Sequence, residues 1–182
     1  MTRTARCLLV VALAGFWLAA CRPESEVAAP APRELDREAN GHYCGMIVAD
    51  HPGPKGQIFV GESEVPIWFS SVRDTVAFLM LPGEQKDVQA IYVNDMALAR
   101  NWDSPEPGTW IEARSAWFVL GSAKRGGMGL AEAVPFGSEE DARQFAALHG
   151  GRLARLDEIP VDYIFDDGSA EASDHHSVPD DG

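Results

Sequence analysis

The strongest constraint on how this chain folds is a pair of matching helix starts. Ser71-Val72-Arg73-Asp74-Thr75-Val76-Ala77-Phe78 and Ser138-Glu139-Glu140-Asp141-Ala142-Arg143-Gln144-Phe145 carry Ser, Asp and Phe at the same offsets, each after a Pro and a Phe. Serine accepts from an orphan N–H of the first turn, and an acidic residue three positions on suits the positive end of the helix dipole. Both segments stop clearly, the first at Pro82-Gly83 and the second at Gly150-Gly151. Short apolar or aromatic runs flank each helix in the same order. They are 57–60, 66–69 and 90–93 in the first half, and 116–120, 133–136 and 152–156 in the second. A further strand over 110–113 joins the halves after the Pro-rich bend at 104–108. The expected class is α+β, with two tandem ββαβ repeats, at about 41–103 and about 104–165, forming one compact unit.

The chain ends read differently. Arg3 and Arg6 precede an apolar run from Leu8 to Ala19, and Leu18-Ala19-Ala20-Cys21 closes it as a lipobox. The run is shorter than the ~20 residues a permanent membrane span needs. Residues 1–20 are therefore expected to be a lipoprotein signal peptide, with Cys21 the lipidated first residue of the mature chain. Acyl chains add about 0.8 kcal/mol per buried CH2, so several of them anchor firmly. The protein is expected on the periplasmic side of a membrane. Arg22 gives no simple inner-membrane retention signal, which leaves inner and outer membrane both open. Residues 21–40 are rich in Ala, Pro and charge and predict a disordered tether, and 166–182 predict a disordered acidic tail. His175 and His176 lie in that tail, where adjacent histidines are usually solvated rather than ligating.

Fifteen basic residues face 28 acidic ones, for a net charge of −13, and loss of Arg3 and Arg6 with the leader sharpens the imbalance. Nucleic acid is disfavoured as a partner, because neutralising phosphates needs clustered Lys and Arg. An acidic field suits cationic cargo or a basic partner surface, although solubility alone is a sufficient reason for it.

The chain has three cysteines. Cys7 leaves with the leader and Cys21 is lipidated, so Cys44 has no partner for an intramolecular disulfide. An unpaired thiol in an oxidising compartment calls for an explanation. A buried inert cysteine is the ordinary one, but His42, Gly45 and Met46 do not resemble a core strand. In an extended segment Cys44 and Met46 would face one ion across Gly45. A second thioether lies in Lys124-Arg125-Gly126-Gly127-Met128-Gly129, a loop with an unrestrained glycine backbone whose Met128 is poorly placed to fill a core. Met80, and less clearly Met96, reads as core filler. A thiolate with thioethers is a soft donor set that selects Cu(I) over hard cations. Structural zinc wants four Cys or His ligands and is less favoured, because no second free cysteine accompanies Cys44. His42 or His51 are possible additional ligands in a mixed site, although a lone histidine is more often structural.

Four segments carry a family resemblance: His42-Tyr43-Cys44-Gly45-Met46, His51-Pro52-Gly53-Pro54-Lys55-Gly56-Gln57, Trp68-Phe69-Ser70-Ser71-Val72-Arg73-Asp74, and Gly126-Gly127-Met128-Gly129. Together with the lipobox they resemble NosL, the accessory lipoprotein of nitrous oxide reductase. The resemblance implies a Cu(I) chaperone that helps to build the copper sulfide centre of that reductase, working with the NosDFY ABC-transporter complex. It also implies two strand-strand-helix-strand repeats, similar to part of organomercurial lyase. Cys44 and Met46 match the family's metal motif and Met128 its later glycine-methionine motif.

The function read from the sequence is thus a lipid-anchored Cu(I) carrier without catalytic turnover. Two other classes compete with it. A docking module of the same maturation complex would bind its partner regardless of metal or Cys44. A thiol enzyme would need a base and an orienting group near Cys44, and no local pattern supplies them.

Overall fold

The computed structural model of the protein describes residues 29–165. The leader, Cys21 and the acidic tail with His175 and His176 lie outside the described residues. Strands β1 (Gly56–Val60) and β2 (Ile67–Phe69) lead into α1 (Val72–Met80) and β3 (Val88–Asn94). After β4 (Trp110–Glu112) come β5 (Trp117–Leu120), β6 (Val134–Phe136), α2 (Glu139–His149), β7 (Arg152–Ala154) and a short α3 (Val161–Phe165). Among these described residues, no helix is long and apolar enough to cross a membrane.

The strands form two antiparallel sheets, ordered β2-β1-β3-β4 and β6-β5-β7. In each half the first strand is central, flanked by the second strand and by the strand that follows the helix. β1 is buried along its whole length. Its Ile58 pairs with Ile67 on one side and Ile91 on the other. Successive side chains of β5 point to opposite faces. Phe118 and Leu120 enter a core shared with Ile58, Phe69, Phe78 and Ile91, while Val119 enters a smaller cluster with Val134, Phe136 and Ala142. The two halves are therefore sealed by one hydrophobic core. Met80 packs against the large cluster and Met96 against the small one, as expected of filler.

Both helices start as the sequence predicts. Ser71 Oγ accepts from Asp74 N at 3.0 Å, and Ser138 Oγ from Asp141 N at 3.1 Å. Substitution of Ser71 by alanine is expected to cost about 1 kcal/mol, read as a lower midpoint in urea unfolding; an unchanged midpoint would show that the cap contributes nothing. The first helix also lies so close to β1 that only glycine fits at position 56. A Cβ there would stand 1.9 Å from Thr75 Oγ1.

Three expectations need correction. The segment expected to belong to a disordered tether up to Asn40 is docked from Pro30 onward. Arg33 exchanges two 2.9 Å hydrogen bonds with the side chain of buried Gln57. Tyr92 OH donates to Pro30 O at 2.6 Å, and Glu34 accepts from Gly108 N and Trp110 Nε1 at 3.0 and 3.2 Å. This strap is held by polar and backbone bonds, which leave no apolar periodicity to read. The boundary at 104 is not a boundary in space either, because β4 pairs with β3, Val93 opposite Ile111. Finally, the last predicted strand ends at Ala154. It gives way to a 3-10 turn over Leu156–Glu158 and to α3, which packs on α1 and buries Ile164 in the shared core.

Candidate metal site

Cys44 sits in a closed turn rather than in the extended segment expected from the spacing. Gly45 N donates to Gly41 O at 2.8 Å and Gly41 N to Met46 O at 2.9 Å. Gly45 adopts φ +66°, a region that L side chains avoid. The turn packs tightly at Gly41, where a Cβ would come within 2.6 Å of Cys44 Sγ. Cys44 itself is half-buried, with Sγ 3.6 Å from Ser70 Oγ. Met46 is 46% exposed.

The residues before Cys44 hold this turn in place. Tyr43 OH donates to Glu84 Oε1 at 2.9 Å, and His42 Nε2 lies 3.4 Å from the same oxygen. Burial, reinforced by the Glu84 bond, pushes the Tyr43 phenol up. The His42 ring meets Tyr43, Phe69 and Phe78 edge-on, with centroids 4.8, 5.8 and 5.5 Å away. His42 thus serves to seat the turn on the core.

The glycine loop is also more restrained than its composition suggests. Arg125 and Ala131 form a bridge, Gly126 N donates to Leu130 O at 3.0 Å, and Gly129 N donates to Gly126 O at 2.9 Å. Met128 at its tip is 45% exposed. Gly127 presses against the first half of the chain, where a Cβ would stand 2.4 Å from Ser70 O and 2.9 Å from His51 Cβ. His51 Nδ1 is 3.1 Å from Gly127 O. A carbonyl only accepts, so this bond places the proton on Nδ1 and the neutral ring's lone pair on Nε2. That Nε2 is buried and has no hydrogen-bond partner among the described residues.

Ser70 is the junction of the site. Its hydroxyl faces Cys44 and its carbonyl faces Gly127, so the turn bearing Cys44 and Met46 and the loop bearing Met128 are seated on one residue at the entry of α1. Sequence reasoning did not single out Ser70, nor two buried ionisable side chains, Glu132 and Lys55. Glu132 is fully buried, and its Oε1 accepts from Arg73 N and Ala133 N at 2.9 Å each. Burial pushes its carboxyl up to about 8 against the pull of those amides. Lys55, 2% exposed, donates to Gly53 O. Burial lowers its ammonium to about 8, opposed by Glu132 and Asp103. The available signal for Glu132 was a single charge inside the otherwise uncharged run from Leu130 to Phe136.

Among the described residues no group of three or more His, Cys, Asp or Glu side chains is gathered to hold a metal. The donors available at the surface are instead one thiol and two thioethers, with the His51 Nε2 lone pair adjacent to the glycine loop. Such a set suits a soft, low-coordinate ion.

The NosL family model matches residues 32–164. The chain belongs to the NosL family. Over 158 residues it is 44% identical to the copper-binding lipoprotein NosL of Achromobacter cycloclastes, covering 86% of this chain and 81% of that protein. It is 35% identical over 152 residues to the copper-binding lipoprotein NosL of Stutzerimonas stutzeri, covering 83% and 78%. The crystal structure of the copper chaperone NosL from Shewanella denitrificans superposes with a TM-score of 0.67 at 38% identity, covering 72% of this chain and 96% of that one. The NosL match begins at residue 32, inside the docked strap, so the strap belongs with the folded body rather than with a tether.

Proposed function

We propose that this NosL-family chain is a lipid-anchored carrier of Cu(I), with Cys44, Met46 and Met128 as the sulfur donors. The observation that carries this reading is the junction at Ser70, which seats a half-buried thiol and a loop tipped by an exposed thioether on one residue. Copper is the cargo. The names of the relatives, copper-binding lipoproteins and a copper chaperone, support the choice of metal. Cys44 holds the ion as thiolate while the neutral thioethers complete the site, and His51 is available to join them through Nε2. Release proceeds by exchange, as a partner's donors replace the exposed thioethers one at a time. No covalent turnover is involved, so the protein is not an enzyme.

The resemblance extends this reading to destination and place. The copper goes to assembly of the copper sulfide centre of nitrous oxide reductase, by way of a NosDFY-type ABC transporter complex. The carrier faces the periplasm, tied to the membrane by acyl chains on Cys21.

The test is an anaerobic titration of the lipidated mature protein in detergent with Cu(I), in competition with a chromophoric chelator. Met46→Leu and Met128→Leu, which keep volume and lose sulfur, are each expected to weaken binding about tenfold, about 1.4 kcal/mol. Wild-type protein without a tight site would move the reading to a docking module that carries no metal.

A further inference from the structure

Glu132 has no role among the donors, yet among the described residues it is the most tightly enclosed acidic side chain. Its Oε2 is buried without a hydrogen-bond partner among the described residues. Such an atom is destabilising unless something is gained from it, since an apolar side chain of similar volume would fill the space at less cost. The geometry indicates what is gained. Oε1 accepts from Arg73 N, the second residue of α1, which anchors the side chain on the first turn of that helix. Oε2 lies directly under the glycine loop, where a Cβ on Gly126 would stand 2.2 Å away. The backbone carbonyl of Glu132 is held as well, accepting from Tyr163 OH at 2.8 Å. Between the carboxyl and Met128 is a space of about 10 Å³, lined also by Ser71 and Asp74. One side chain therefore bonds the first turn of α1, just after Ser70, and lies against the floor of the thioether loop.

We propose that Glu132 is a positioning residue that sets the placement of Met128 relative to Cys44. Its bond to Arg73 N anchors it on the first turn of α1, and from that anchor its contact with Gly126 sets how far the loop 126–129 settles onto Ser70. Loss of the side chain lets the loop sink and draws the thioether out of register with the thiol. Its effect reaches the metal only through Met128. This rests on the reading of Met128 as a copper donor.

The experiment is the Cu(I) competition titration on the lipidated mature protein in detergent, for wild type, Met128→Leu, Glu132→Ala, the double variant and Glu132→Gln. Glu132→Ala is expected to weaken binding about tenfold, within the range seen when supports of metal ligands are removed. The double variant is expected to be no weaker than Met128→Leu alone, to within about twofold, because coupled residues do not add. Glu132→Gln keeps an acceptor for both amides and the same bulk under Gly126, and is expected to bind as wild type. Additive losses in the double variant, or a Glu132→Gln protein as weak as Glu132→Ala, would overturn the proposal. If Glu132→Ala does not fold, Gly126→Ala replaces it, since the added methyl meets Oε2 from above. It too should weaken binding without adding to Met128→Leu, and an additive result overturns the proposal equally. Met128→Leu binding as tightly as wild type would refute the donor assignment itself, and the proposal with it.

Discussion

Cys44→Ala is expected to abolish tight Cu(I) binding, with a loss of about a thousandfold or more, equivalent to about 4 kcal/mol. The thiolate is the one anionic sulfur available at the site, and thioethers alone hold Cu(I) weakly because they bring no charge to match the cation. The same substitution is expected to leave the fold almost unchanged. The turn around Cys44 is closed by backbone bonds between Gly41, Gly45 and Met46, none of which involves the thiol. Its side chain is half-buried and its hydrogen bonding is limited to a weak contact with Ser70 Oγ. A midpoint of thermal unfolding within a few degrees of wild type, alongside loss of the copper site, is therefore the expected pair of results. Undiminished copper affinity in Cys44→Ala would sink the carrier reading.

The second large effect lies in the dependence of stability on pH. In the folded protein the carboxyl of Glu132 is raised to about 8, and in the unfolded chain it ionises in the ordinary carboxylate range. Between those values the folded state holds a proton that the unfolded state has lost. Raising the pH therefore favours unfolding, by up to about 1.4 kcal/mol per pH unit. Asp74, also raised by burial, adds to this fall at its acidic end. Lys55 acts with the opposite sign at higher pH. Its ammonium is lowered to about 8, so above that value the unfolded chain retains a proton that the folded chain has released, and stability rises toward the ordinary lysine range. The expected profile falls from about pH 5, passes a minimum near pH 8, and recovers toward pH 10. Urea unfolding across that range, wild type beside Glu132→Gln, measures it. The variant should lose most of the falling limb, and a falling limb that persists in it would show that other groups carry the effect.

What could be read from the sequence follows the range of the forces involved. The serine caps at Ser71 and Ser138 are satisfied by amides three residues away, so a local pattern specified both helices. The continuous burial of Phe118, Val119 and Leu120 is likewise written in neighbouring residues, as a short unbroken apolar run. Pairing of β4 with β3 depends on where a distant edge is left open, and no local signal encodes it. The strap from Pro30 is specified by the amide of Gln57, a polar residue inside a buried strand that looks like an exception until its partner is seen. At the site, Cys44, Met46 and Met128 stood out in the sequence because soft donors are rare, and both thioethers are exposed in the structure. Their common seat was not legible. Ser70 is an ordinary residue type, and its role comes from a hydroxyl and a carbonyl facing two loops that are far apart in the chain.

The placement of β4 and α3 has a mechanical consequence. The second half of the chain grips the first by both of its ends, with β4 on β3 and α3 on α1. Between those two clasps lie β5 and β6, which carry the Met128 loop. The halves therefore cannot part like a clamshell without breaking a strand pairing and uncovering the shared core. With no hinge between the halves, the carrier proposed above would give up its ion by exchange at the exposed rim that bears Met46 and Met128.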